Sequence, residues 1–211
     1  TGEMFFFGYQ LDKQPHCSVG LLDNQGQWVR SFPVELPEGR VMHDSALTEN
    51  FMVLICSSLV LRPKEMVKSG TLPVVFDKGA PLLFGVVPRS ARSQSEITWF
   101  EMPAGAIFHT MNAWENNNEI ELYGCLSQSM NLNILMSTNK VAFSSEERPN
   151  LYRFRMNLDT GATSKERMCP AGLNLEFPQI NKKFSGRANQ YGYLSRFDLQ
   201  HSFKMPGIVK V

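Results

Sequence analysis

Two histidines stand in apolar, strand-like surroundings, His43 in Val41-Met42-His43-Asp44 and His109 in Gly105-Ala106-Ile107-Phe108-His109. Neutral imidazole is the commonest protein ligand for zinc, copper and iron. The two lie far apart in the chain with no cysteine beside either, so they would come from separate β-units and meet only in the fold. They read as two ligands of one metal, although a lone histidine in an apolar run is also an ordinary core residue. Asp44 would point to the opposite strand face from His43 and is a poor orienter for its ring. Glu176 lies between apolar neighbours in Leu173-Asn174-Leu175-Glu176-Phe177-Pro178. A carboxylate is costly to bury unless paired, and the free N–H of a metal-bound imidazole is one fitting partner. The alternative is a surface-facing glutamate in a half-buried strand. His16, after Pro15, and His201, in Gln200-His201-Ser202, read as exposed and inert. GxSxG, P-loop, HExxH and paired-cysteine motifs are absent from the chain.

Short strands separated by turns must position these residues. Strand-like runs cover 4–7, 16–22, 27–36, 41–47, 51–61, 82–87, 97–101, 106–112, 119–125, 152–158, 162–168, 175–180 and 190–194. Asp23-Asn24-Gln25-Gly26 and Asp159-Thr160-Gly161 are hairpin signals. Arg62 to Gly70 is a helical stretch with proline in its first turn and glycine at its end. Residues 127–149 read as a long polar connection. The pattern predicts an all-β sandwich, barrel or propeller.

The 43% apolar content supports a large core, and a net charge of +1 with no basic stripe argues against a nucleic-acid partner. No apolar run approaches the roughly 20 residues that span a bilayer. Four scattered cysteines, Cys17, Cys56, Cys125 and Cys169, exclude a zinc ribbon and suggest free thiols in a reducing compartment. The chain opens and closes in strand-like sequence, which reads as an internal piece of a longer protein.

Seven stretches, in order, resemble the carotenoid cleavage oxygenase family: TGEMFFFGY, MHDSALTENF around His43, LRPKEMVKSG, FGVVPR, ITWFEMPAGAIFHTMNAWE around His109, RMNLDTG, and LEFPQIN around Glu176. They cover the chain end to end and look closest to the plant-type subgroup that cleaves at the 9,10 and 9′,10′ double bonds. Departures from the family pattern are Ser45, where an aromatic residue is usual, Asn116, usually acidic, and Glu176, where the plant subgroup often has aspartate.

The resemblance implies part of a seven-bladed β-propeller with short helices and capping loops, residues 1–211 forming about three to four blades of one domain. It implies Fe(2+) held by four histidines. His43 matches the second ligand and His109 the third; the first and fourth would lie outside these residues. Glu176 matches the glutamate that hydrogen-bonds His109, and Phe108 is a candidate wall of the substrate tunnel, ordinary core packing being its other reading. The implied reaction is cleavage of a conjugated C=C bond of a carotenoid or apocarotenoid with O2 to give two carbonyl products. A retinoid isomerohydrolase-like enzyme on the same iron, or a metal-free propeller binding module, are the alternatives. The expected compartment is the cytoplasm, or the plastid if a transit peptide lies outside these residues. Peripheral membrane association would use segments outside them too. The isolated piece, with half the ligands and exposed sheet edges, is expected to be inactive and to aggregate.

Overall fold

The computed structural model describes residues 2–64, 72–132, 143–198 and 204–211. The chain is all-β, built as antiparallel sheets that follow one another in sequence. The first holds β1 (Met4–Tyr9), β2 (Cys17–Leu22) and β3 (Trp28–Val34). The Asp23–Gly26 turn closes β2 onto β3, with the Asp23 carboxylate accepting the Gln25 and Gln27 amides at 2.8 Å. In the second sheet β4 (Ser45–Leu47) pairs with β5 (Phe51–Cys56). A separate ribbon of β6 (Leu59–Leu61) and β7 (Val74–Phe76) follows, before β8 (Leu82–Pro88) and β9 (Thr98–Met102) complete that sheet beside β5. The third sheet is a meander of β10 (Ala106–Asn116), β11 (Glu119–Ser127), β12 (Asn150–Asn157) and β13 (Thr163–Arg167). The fourth is β14 (Leu175–Gln179), β15 (Tyr193–Asp198) and β16 (Lys204–Lys210).

Strand alternation explains how these sheets stack. In β5, Val53 and Ile55 enter one buried cluster with Phe84, Phe100, Ile120 and Phe154, while Met52, Leu54 and Cys56 enter another with Val19, Phe32 and Val34. A strand buried on both faces therefore reads as a continuous apolar run, FMVLIC, because successive side chains face opposite sides. The third sheet repeats the pattern: Ile120 and Leu122 face the second sheet, and Cys125 and Leu151 join Leu175 and Leu194 of the fourth. Sheets in sequence order, each packed on the next, are the arrangement of propeller blades.

Several expectations are corrected. The run 51–61 is two strands, because Ser57 and Ser58 break it. Ser57 Oγ exchanges hydrogen bonds with the Ile107 amide and carbonyl (3.2 and 3.3 Å), and Ser58 Oγ accepts the Gly105 amide at 3.0 Å. The strand predicted over 41–47 begins only at Ser45, and His43 is exposed in the segment before β4. β10 runs to Asn116 rather than Asn112, and β15 begins at Tyr193 rather than Gln190. His16 is buried, not exposed: its Nδ1 lies 3.1 Å from the Gln10 carbonyl. Pro63 and Lys64 open the predicted helix; 65–71, 133–142 of the polar connection, and His201 lie outside the described residues.

Candidate metal centre

His109 sits where β10 is irregular. Its pairing with β11 shifts register between Ile107 and Thr110 and again between Thr110 and Asn112. Such bulges re-aim side chains, and they concentrate beside functional sites. Here the irregular stretch carries the His109 ring to His43, with ring centroids 5.1 Å apart and planes at 86°. Phe108 packs edge-on against His43 at 5.0 Å.

Glu176 is buried, and its Oε2 lies 2.7 Å from His109 Nδ1. The same oxygen accepts the Phe177 amide at 2.8 Å. The Glu176 hydrogen bond raises the His109 imidazole above the ordinary histidine range against the opposing effect of burial, and the nearby Asp44 charge acts in the same direction as Glu176. With Nδ1–H donated to Glu176, the lone pair of Nε2 is left for a ligand. Asp44 does not orient the His43 ring; its carboxylate is engaged by Ser45 and Thr110.

Phe177 was not anticipated from the sequence. Its backbone adopts φ 53°, a left-handed conformation rare for a bulky residue. The pairing of β14 with β15 shifts register over this point, between Glu176 and Gln179. The Phe177 ring then lies 4.8 Å from that of His109 and 5.6 Å from Phe197. The one sequence signal is Pro178, which has no N–H for a strand ladder and so marks either a sheet edge or a bulge; β14 is at the edge of its sheet and carries the register shift as well. Phe108, His109, Glu176, Phe177, Phe197 and Met205 border a mostly apolar cavity of about 270 Å³. A larger groove of about 490 Å³ between the third and fourth sheets contains neither histidine.

The polar tail after His109 fastens β10 on both sides. Asn112 Nδ2 donates to the carbonyls of Phe184 and Arg187 (3.0 and 2.8 Å), and its Oδ1 accepts the Gly186 amide at 3.0 Å. That ties down the turn following β14, the strand that carries Glu176. Trp114 stacks on Tyr123 at 4.8 Å. Glu115 accepts the Thr48 hydroxyl at 2.6 Å, the Asn50 amide at 2.7 Å and Asn50 Nδ2 at 2.8 Å. That caps the turn after β4, the strand entered from His43. Burial alone would raise the Glu115 carboxyl, but hydrogen bonds from Thr48 and Asn50 hold it below the ordinary value of 4.5. A depressed carboxyl stabilises the fold above its unfolded pKa, and that contribution is lost as pH falls through the folded value. Glu115→Gln is therefore expected to cost about 1–2 kcal/mol at neutral pH in the full-length protein. Thermal unfolding followed on acidification below 4.5 should show the gap to wild type closing; a gap constant with pH would exclude this role.

Among the described residues no group of three or more His, Cys, Asp or Glu converges as a metal site. What they provide is a pair of adjacent imidazoles, one held in the tautomer that leaves Nε2 free, and this donor pair fits a transition metal whose other ligands come from elsewhere. The four thiols are buried and unpaired, and burial pushes Cys17 and Cys56 up to about 12, so they stand protonated.

The profile of the family described as retinal pigment epithelial membrane protein matches residues 1–211. A protein of Pisum sativum named carotenoid 9,10(9′,10′)-cleavage dioxygenase 1 is 36% identical over the whole chain, which covers 38% of that protein. Its namesake in Arabidopsis thaliana is 35% identical, again over the whole chain and 38% of the relative. A 9-cis-epoxycarotenoid dioxygenase of Oryza sativa subsp. japonica, named as chloroplastic, is 33% identical and is covered over 32% of its length. Among solved structures, a lignostilbene dioxygenase of Pseudomonas brassicacearum aligns with a TM-score of 0.77 at 24% identity, covering 94% of this chain and 42% of that one. Cobalt-substituted ACO of Synechocystis aligns at 0.75 with 23% identity, covering 92% and 41%. The chain thus spans about a third to two fifths of the length of these proteins, and the two solved structures share its fold.

Proposed function

The chain belongs to the retinal pigment epithelial membrane protein family, the carotenoid cleavage oxygenases, and from that premise we propose that the protein carrying it is a nonhaem iron dioxygenase acting on carotenoids or apocarotenoids. The observation that carries the reading is the His43–His109 pair at 5.1 Å with Glu176 on His109 Nδ1. His43 and His109 would hold a ferrous ion together with histidines outside these residues. That ion, when bound, supplies dioxygen activation for cleavage of a conjugated C=C bond into two carbonyls.

The chain's own residues position and shield. Glu176 holds the His109 ring and its tautomer. Phe108 and Phe177 flank the imidazoles and present apolar walls, where a polyene would lie with one bond beside the metal; which bond is cleaved then follows from placement. Names of the relatives at 35–36% identity favour the 9,10 and 9′,10′ positions. Relatives named as chloroplastic support the plastid over the cytoplasm. Residues 1–211 form three to four blades within one propeller domain.

Product analysis of the full-length protein, supplied with ferrous iron, O2 and a C40 carotenoid or an apocarotenal, tests this. Paired carbonyl products are expected. An isomerised retinoid alcohol would instead support the isomerohydrolase alternative. Absence of both iron and turnover after ferrous reconstitution would leave a binding module.

A further inference from the structure

We propose that Asp44 and Thr110, the residues immediately after His43 and His109, form a clamp that sets the spacing of the two imidazoles. Asp44 Oδ2 accepts both the Thr110 amide, at 2.8 Å, and the Thr110 hydroxyl, at 2.7 Å. Its other oxygen, Oδ1, accepts the Ser45 amide at 2.8 Å, which holds the carboxylate against its own backbone. The two bonds to Thr110 join the segment leading into β4 to the irregular part of β10, and the Ser45 bond fixes the carboxylate that accepts them.

The clamp lies where the scaffold is otherwise weakest. His43 stands before β4 and has no ladder pairing of its own. His109 stands between the paired positions Ile107 and Thr110 and has no register partner in β11. Neither ring is therefore placed by regular strand pairing, while both are joined by one peptide unit to a member of the clamp. A charged acceptor with two donors from one residue is stiff in distance and direction, because charge-assisted hydrogen bonds are short and strong. Glu176 fixes the rotation of the His109 ring; the Asp44–Thr110 pair fixes where that ring stands relative to His43. Asp44 touches neither imidazole in this role, so it is a positioning residue and not a ligand.

This inference rests on the metal site proposed above. Its test uses the full-length protein, with cobalt(II) as probe. Cobalt(II) affinity and d–d absorption bands are measured for wild type, Asp44→Ala, Thr110→Val and Thr110→Ser. Thr110→Val keeps the shape and the backbone amide but removes the hydroxyl bond. Asp44→Ala removes both bonds. Loss of a hydrogen-bond partner of a metal ligand typically weakens binding about 10–100-fold, and misplacing the ligand itself is expected to cost a comparable factor. Asp44→Ala is expected in that range with shifted cobalt bands, Thr110→Val at its lower end, and Thr110→Ser, which keeps both donors, tighter than Thr110→Val. Should Asp44→Ala fail to fold, the Thr110→Val and Thr110→Ser comparison decides. Wild-type affinity and bands in Thr110→Val would overturn the clamp while leaving the metal site standing. A wild-type protein that takes up no cobalt and no iron overturns the metal site, and the clamp falls with it. A purely structural role would lower the unfolding temperature without moving the bands of the folded, loaded protein.

Discussion

His43→Ala and His109→Ala should each abolish ferrous iron retention in the full-length protein, yet only His109→Ala should also destabilise the metal-free fold. The contrast follows from what each ring touches. His43 is exposed, and its described contacts are ring contacts with Phe108 and His109. Removing it subtracts a proposed ligand and little else. His109 is also the partner of a buried carboxylate. Its removal leaves Glu176 Oε2 with the Phe177 amide alone, and an under-satisfied buried charge costs roughly 1–3 kcal/mol or more.

Loss of a ligand should also exceed the roughly 10–100-fold that loss of an outer partner costs in metal affinity or activity. Iron content after purification, cobalt titration and cleavage rate measure the first effect. Thermal unfolding of the metal-stripped proteins measures the second. Iron retained at wild-type stoichiometry in either variant would remove that histidine from the site. Equal unfolding temperatures for the two metal-free variants would mean that Glu176 finds another partner when His109 is gone.

The legible and illegible parts of this site differ in a physical way. Alternation along β11 and β12 and the short continuous apolar run of β5 are local signals, so the all-β class and most strands can be read from the sequence alone. Both histidines and Glu176 stand out because a titratable residue among apolar neighbours is conspicuous. The break at Ser57–Ser58 is not conspicuous: serine is tolerated in strands, and the hydroxyl partners, Gly105 just before β10 and Ile107 within it, lie 47 and 50 residues away. Asp44 shows the same limit more sharply. It does not hold the His43 ring, but the strand alternation that suggests so is not the reason, since β4 begins only at Ser45; its partner is Thr110, 66 residues distant. The roles of Glu115 and Asn112 are hidden for the same reason, their partners being 65 to 77 residues away. His16 is buried although the proline beside it suggests an exposed loop, and His43 stands just outside the strand that its apolar neighbours suggest. A short sequence window reports how a residue's neighbours alternate; it does not report which sheet will press against it.

Glu176 offers the second large effect, and its variants separate geometry from charge. Oε2 accepts two hydrogen bonds, one from His109 Nδ1 and one from the Phe177 amide. Glutamine can place its carbonyl oxygen at that point and keep both bonds, but as a neutral acceptor. Alanine keeps neither. Charge-assisted bonds are roughly twice as strong as neutral ones, so Glu176→Gln should weaken metal binding and turnover about 10-fold and Glu176→Ala about 100-fold. Alanine should have a further consequence that glutamine lacks. The left-handed Phe177 backbone, φ 53°, is opposed by sterics of the order of 1–2 kcal/mol. The hydrogen bond its N–H donates to the Glu176 carboxylate is one of the contacts holding it there, and without that bond the ring is free to leave His109. The apolar wall at 4.8 Å from the imidazole would then loosen together with the metal. Glu176→Ala should accordingly raise KM for a carotenoid substrate as well as lower kcat, whereas Glu176→Gln should act mainly on kcat. Metal titration and steady-state kinetics of the two variants decide it. Unchanged metal affinity in Glu176→Ala would show that His109 keeps its tautomer without the carboxylate, and a KM that moves equally in both variants would detach Phe177 from Glu176.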